Sequence, residues 1–277
     1  LGSRFARVLA ANGALTVLAA RRIERLKDLR AEIEAAGGAA HVVALDVTDP
    51  DSIREAVDRT ESEVGPIDIL VNNSGVSTTQ RLVDVTPVDF DYVLNTNLKG
   101  AFFVASEVAR RMIVRAKGQS DFRGRIVNIA SVAGLQVLPQ IGVYCISKAA
   151  VIQMTRAQAL EWGRYGINVN ALCPGYIRTE INDAHWDTEA GHKLMQMLPR
   201  KRLGRPEAQV ETRRRERSPQ QDHQNHQLQT LKQAHFFHQT GDYKCCSHNP
   251  PQYQRNARYR GNVADANHHA VPGHHPE

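Results

Sequence analysis

The chain reads as an α/β protein built on a doubly wound, Rossmann-type parallel sheet. Short apolar runs rich in Val and Ile recur through the first two hundred residues. Amphipathic stretches of helical period separate them, and the regular alternation of the two fits strand–helix–strand units.

The predicted strands are LTVLAA (15–20), AHVVAL (40–45), IDILVNN (67–73), GRIVNIAS (124–131) and INVNALCPG (167–175). Their near-continuous apolar character suits strands covered on both faces. Helices are predicted over 3–12, 22–36, 50–63, 88–115 and 143–164. TDPDSIREAV carries a helix start: acidic and hydroxyl residues and an early proline, then the periodic pattern. RAKGQSDFRG (115–124) reads as a polar turn.

With 277 residues, 42 % of them hydrophobic, the chain can bury a substantial core in one large domain or two small ones. It holds no run of eighteen apolar residues, so no membrane span is expected. Leu1 is not a natural start and no signal-peptide pattern follows it. The expected location is the cytoplasm, with a targeting segment upstream of Leu1 left open. Of the net charge of +6, +3 lies in 208–277 and +3 in the first 207 residues, without a basic stripe among aromatics, so nucleic acid is not an expected partner. The run Arg213–Arg214–Arg215 reads as solvated charge. Cys145, Cys173, Cys245 and Cys246 form no paired framework, which points to a reducing compartment.

Composition changes near residue 208, and the expected division is a catalytic domain over 1–207 and a tail over 208–277. The tail holds five Val, Ile, Leu or Met residues and nine of the twelve histidines. So little apolar surface does not offset the entropy of ordering, so the tail is expected to be disordered. Either a reading-frame shift or a low-complexity tail accounts for its composition. Cys245, Cys246 and His248 fit no standard zinc spacing, and no metal site is expected.

Several short stretches carry chemistry. Gly2 opens a helix, where close backbone approach suits a pyrophosphate, although an ordinary helix start looks the same. The strand ending at Ala20 is followed by Arg21 and Arg22 rather than by the carboxylate that would hold the ribose of NAD. Two guanidiniums suit a 2′-phosphate and favour NADP; two solvated arginines are the alternative. Asp46 and Val47, in LDVTD, sit at a strand end where adenine could be read. In VNNSG, the small and amide residues Asn73, Ser74 and Gly75 permit a sharp turn against a ligand. Ser131 closes a strand thirteen residues before Tyr144, and Lys148 follows Tyr144 by four, on the same helix face. Reducing a ketone needs a hydride on carbon, which only a cofactor supplies, and a proton on oxygen. Tyr144 can give that proton: a phenol of pKa about 10 falls by about 1–3 units beside a cation such as Lys148. Ser131 can donate a hydrogen bond to the carbonyl oxygen as charge builds there. Ser131 could also merely cap a turn, and Asn97 merely satisfy a helix backbone.

In their joint order these motifs resemble the short-chain dehydrogenase/reductase family from Leu1 to about Pro206. They are Ser131…Tyr144-x-x-x-Lys148, Asn72–Asn73–Ser74–Gly75, the helix residue Asn97 and Pro174–Gly175. The resemblance implies an oxidoreductase interconverting a small-molecule carbonyl and alcohol with NADP(H), NAD(H) remaining possible. It implies that Tyr144 and Lys148 border the cofactor, Lys148 on the nicotinamide ribose, and that Asn97 positions a proton-relaying water. The carboxamide would bind beyond Pro174–Gly175, near Ile177 and Thr179. It further implies a homodimer or homotetramer formed through helices 88–115 and 143–164, with Ala149, Val151, Ile152, Met154 and Ala159 serving the packing. Residues 180–203 would form a lid. There Trp186, Met195, Met197 and Leu198 favour an apolar substrate body, and Lys201 and Arg202 could meet a phosphorylated carrier. A 3-oxoacyl thioester is the first substrate expected and a sugar or small ring ketone the second. The competing class is a silent relative acting as a scaffold. The family's opening strand and most of its phosphate turn would precede Leu1, and its last strand should follow RLGRPE. A sheet lacking its first and last strands is therefore expected, with 15–20 and 67–71 robbed of their shared neighbour and NADPH binding weakened.

Overall fold

The computed structural model describes residues 1–178, 182–198, 200–204 and 235–238. Its helices are α1 (Gly2–Ala11), α2 (Ile23–Ala35), α3 (Pro50–Glu63), α4 (Pro87–Leu94), α5 (Ala101–Ala116), α6 (Gly142–Trp162), α7 (Asp183–Trp186) and α8 (Glu189–Met197). Its strands are β1 (Leu15–Ala20), β2 (Ala39–Ala44), β3 (Ile69–Asn72), β4 (Gly124–Ile129), β5 (Ile167–Leu172) and β6 (His235–His238). Local chemistry sets several boundaries. Asp49 accepts from the Asp51 amide with Pro50 in the first turn of α3, and Thr86 accepts from Asp89 with Pro87 opening α4.

The six strands among the described residues run in the order β2-β1-β6-β3-β4-β5, with every pairing parallel. Helices cover both faces. Along β1, Val17 and Ala19 join the cluster beneath α3 and α5, while Leu18 between them packs with Ala6, Ala10, Leu26 and Ile33 of α1 and α2. Burial on both faces holds at the centre, where all of β3 is buried. It does not hold at the edge: β5 alternates buried Ile167 and Val169 with exposed Asn168 and Asn170. An edge strand keeps one wet face, and INVN already has the period of two that this needs.

The slot between β1 and β3, expected to stand open, holds β6. Leu15 to Leu18 pair with His235 to His238 on one side, and Ile69 to Val71 pair with Phe236 to His238 on the other. The strand comes from the stretch expected to stay disordered. A parallel ladder asks only for extended backbone with free N–H and C=O groups, which four non-proline residues supply. The rest of the tail, with Cys245, Cys246 and His248, lies outside the described residues.

The helix expected over 88–115 is two helices joined by a π-helical turn, Asn95–Gly100. The extra residue swings Asn97 inward, where it is 1 % exposed. Beneath it, a buried amide network ties four elements together. Asn72 Nδ2 donates to the Ala101 carbonyl of α5 and to Asn128 Oδ1 of β4, and Asn128 Nδ2 donates to Thr155 and Gln158 of α6.

Candidate active site

Helix α6 buries one face made of Lys148, Val151, Thr155 and Gln158. Val151, expected to serve a partner chain, therefore lies inside this chain's core, against Ala130 and Cys173. Tyr144 sits half-buried one turn before Lys148, whose Nζ lies 5.7 Å from the phenol ring centre. Lys148 is 2 % exposed and its Nζ donates to the Ile129 carbonyl at 2.8 Å. Burial pushes its pKa down to about 8, opposed by the nearby Cys173 sulfur. Its charge therefore titrates close to the working range of an acid–base group.

Ser131 ends the loop that leaves β4. Its Oγ accepts from the Ala133 amide at 3.1 Å, capping the turn Val132–Gly134; its own hydroxyl proton is not used in that bond. Gly134 lets this turn lie on α6, because a Cβ there would stand 2.6 Å from the Lys148 carbonyl carbon. The Val132 amide donates to the Pro174 carbonyl at 2.7 Å. Ser131, Pro174 and the first turns of α6 are thus drawn together.

Asn97 faces the same place from the π turn. Its Oδ1 accepts from the Val76 amide at 2.8 Å, and its Nδ2 donates to the Val76 carbonyl and to Ser147 Oγ, each at 2.9 Å. Gly75 leaves a small space between these groups: a Cβ on it would lie 3.4 Å from Lys148 Nζ and 3.5 Å from Asn97 Oδ1. Beside it, Asn73 is 3 % exposed, and both polar atoms of its amide lack a hydrogen-bond partner. Ser74 is half-buried in the same turn.

A second group lies at the ends of β1 and β2. Arg21 NH1 stands 3.8 Å from Asp46 Oδ2, and Arg22 is exposed at the start of α2. Burial pushes the Asp46 carboxyl up, but the amide and hydroxyl of Thr48 and the Arg21 guanidinium together leave it below the usual value. Val47 is buried against Gly100 of the π turn. Gly2 is buried at the first turn of α1.

Past Pro174–Gly175, Ile177 is 2 % exposed and bridges to Gly204. Thr179 lies outside the described residues. In the segment expected to form a lid, Trp186 is 3 % exposed, stacked edge-on against Tyr176 and His185. Gln136 Nε2 donates to the Tyr176 hydroxyl at 3.3 Å. Met195 and Leu198 are half-buried, while Met197, Lys201 and Arg202 are exposed. The sequence reading missed Ser147, whose signal was a hydroxyl on the buried helix face between Tyr144 and Lys148. It also missed Asn128, a polar residue inside an apolar strand. Among the described residues Cys145 and Cys173 are buried, no group of three metal-binding side chains is found, and no helix is long and apolar enough to cross a membrane.

A doubly wound sheet with a tyrosine and a buried lysine one helical turn apart, at the carboxyl ends of the strands, defines an oxidoreductase class. The short chain dehydrogenase family model matches residues 1–190, and the chain belongs to that family. Gluconate 5-dehydrogenase of Gluconobacter oxydans is 39 % identical over 183 residues, which span 66 % of this chain and 69 % of that protein. The 3-oxoacyl-[acyl-carrier-protein] reductase of Thermotoga maritima is 35 % identical, spanning 75 % of this chain and 81 % of its own. A crystal structure of a gluconate 5-dehydrogenase from Burkholderia cenocepacia, in complex with NADP and tartrate, superposes with TM-score 0.68 at 38 % identity, covering 73 % of this chain and 77 % of that one.

Proposed function

We propose that this protein interconverts a ketone and a secondary alcohol on a small polyhydroxylated, sugar-derived compound, using NADP(H). The observation that carries the reading is the fully buried Lys148 ammonium beneath the Tyr144 phenol. Tyr144 donates its proton to the carbonyl oxygen in reduction and takes it back in oxidation. Lys148 stabilises the phenolate left behind. Ser131, with its hydroxyl proton unspent in the cap, donates to the same oxygen. Asn97 and Lys148 border the space beside Gly75 through which the proton is replaced.

The residues present fit a dinucleotide. The unpartnered Asn73 amide, the small space that a side chain at Gly75 would fill and two exposed arginines where a carboxylate would otherwise stand all suit a phosphorylated ribose cofactor. When bound, the reduced nicotinamide supplies the hydride. Arg21 and Arg22 hold the 2′-phosphate, Asp46 and Val47 the adenine, and Asn73, Ser74 and Gly75 the adenosine half. Gly2 approaches the pyrophosphate at the start of α1. Pro174, Gly175, Ile177 and Thr179 border the carboxamide, and Lys148 the ribose beside it. NAD(H) is the weaker alternative, for want of that carboxylate. We assign catalysis to residues 1–207, place the enzyme in the cytoplasm, and take it to be a homodimer or homotetramer. The last rests on the groove of about 490 Å³ between the π turn, α5 and α6, lined by Leu98, Phe102, Phe103, Met154 and Trp162.

The polyhydroxylated substrate draws support from the gluconate-acting relatives and from the polar pair formed by Gln136 and the Tyr176 hydroxyl. A second reading, a 3-oxoacyl thioester, is favoured by the Thermotoga relative and by exposed Lys201 and Arg202. The test is oxidation of NADPH and NADH against keto-sugar acids, ketoses and 3-oxoacyl thioesters, with Tyr144→Phe as control. Turnover of a keto-sugar with NADPH, lost in Tyr144→Phe, is expected. Equal rates in both proteins would remove Tyr144 from the mechanism, and no turnover beside intact folding would leave the scaffold reading.

A further inference from the structure

Ser147 stands in the structure without a role in the reaction proposed above. It is 0 % exposed on α6, between Tyr144 and Lys148. Its Oγ donates to the Tyr144 carbonyl at 2.7 Å. A carbonyl only accepts, so the hydroxyl proton is committed there, and toward Asn97 the same oxygen must accept. The amide edge facing Ser147 is therefore the NH2 edge. One Nδ2 hydrogen goes to Ser147 and the other to the Val76 carbonyl, which leaves Oδ1 to receive the Val76 amide. That oxygen and Lys148 Nζ both border the space beside Gly75. Three bonds donated in one direction thus run from the Val76 amide, through Asn97 and Ser147, to the backbone carbonyl of the residue that carries the phenol.

We propose that Ser147 is a positioning residue: its hydroxyl, oriented by the Tyr144 carbonyl, holds the Asn97 amide with its oxygen turned toward Lys148 and ties the π turn to the first turn of α6. The proposal rests on the reading of Tyr144, Lys148 and Asn97 as the acid–base group. It assigns no chemistry to Ser147 itself, which touches neither the phenol nor the reacting atoms. Without the hydroxyl, Asn97 keeps its two bonds to Val76 but loses the one that ties it to α6, and the π turn gains freedom against the helix that carries Tyr144 and Lys148.

The test compares Ser147→Ala, Ser147→Cys, which keeps the volume with a poor hydrogen-bonding atom, and Ser147→Thr, which restores the hydroxyl. Two readouts are taken on the full chain. The first is kcat, KM and the pH profile with the ketone that the wild type turns over. Ala and Cys are expected to lower kcat about tenfold or more with KM nearly unchanged, because sub-ångström misplacement of a reacting group acts on the chemical step. Thr is expected to recover most of the rate. Asn97→Ala combined with Ser147→Ala is expected to lose no more than Asn97→Ala alone. The second readout needs no activity: amide hydrogen exchange at Val76 and over 95–100, expected to speed up in Ala and Cys and return in Thr. Unchanged exchange at Val76 in both Ala and Cys would overturn the brace. Faster exchange with unaltered kcat and pH profile would overturn its link to the reaction. If the wild type reduces no ketone, the proposed function fails, and exchange at Val76 still decides whether Ser147 holds Asn97. If the Ala variant does not fold, the volume-preserving Cys variant decides the same question.

Discussion

Lys148 is a buried lysine that stays charged at neutral pH, and that state has a measurable cost. Its ordinary pKa of 10.5 falls to about 8 in the fold. Below pH 8 both folded and unfolded chains carry the proton, and the burial penalty is present in full. Between 8 and 10.5 the unfolded chain binds more protons, so the contribution of this group to stability rises with pH. Lys148→Met removes the titration. The unfolding free energy of the variant minus that of the wild type is expected to fall by on the order of 3 kcal/mol between pH 7 and pH 10, measured by urea titration. A difference that does not change with pH would show that the lysine is not depressed. Ketone reduction should follow the same group and decline above about pH 8, where the ammonium is lost. Gly75 permits a separate test. A methyl group there would meet Lys148 Nζ and Asn97 Oδ1 at ordinary contact distances. Gly75→Ala should therefore fold with its stability within about 1 kcal/mol of the wild type. It should also lose most of its turnover, because the methyl fills the space that the two polar groups border. Retained turnover would show that the space is idle.

The elements that position this site differ in how far their sequences announce them. LTVLAA was readable as β1 to the residue, because a central strand buried on both faces is apolar throughout. The tyrosine and lysine were readable because a spacing of four fixes a shared face whatever the surroundings. The π turn was not readable: NTNLKG contains no proline, its glycine falls at the last position, and the extra residue is set by hydrogen bonds between Asn97 and a loop twenty-one positions away. Ser147 showed only as a hydroxyl on the buried helix face, since one of its two partners, Asn97, belongs to another element. β6 was hidden because HFFH is too short to register as a strand inside a polar stretch. The contact of the Ser131 turn with α6 gives a test at this scale. A Cβ at Gly134 would press on the backbone of Lys148 and Ala149, which cannot swing aside as a side-chain tip can. Gly134→Ala should cost about 1–3 kcal/mol of stability by forcing the turn off the helix. Thermal unfolding measures the cost, and ketone turnover should fall with it. An unchanged melting temperature would mean that the two elements are not in contact.

At the scale of the whole molecule, the sheet is one continuous surface only because β6 joins β1 to β3. Both edges of Phe236 are in ladders, so Phe236→Pro removes a donor and constrains the backbone at the centre of the sheet. A loss of about 3 kcal/mol or more is expected in chemical denaturation, against a proline placed in an exposed loop as control. Equal stability would show that the two halves of the sheet stand without the strand. The placement of β6 also governs when the molecule can be finished. His235 lies about 220 positions beyond Leu15, its partner in the ladder. During synthesis β1 and β3 emerge well before β6 and must wait for it, their facing backbone edges wet. Closure by so distant a segment is slow, and an open pair of parallel edges is an aggregation hazard in the interval. Cells making this protein would then need a holding chaperone on the nascent chain.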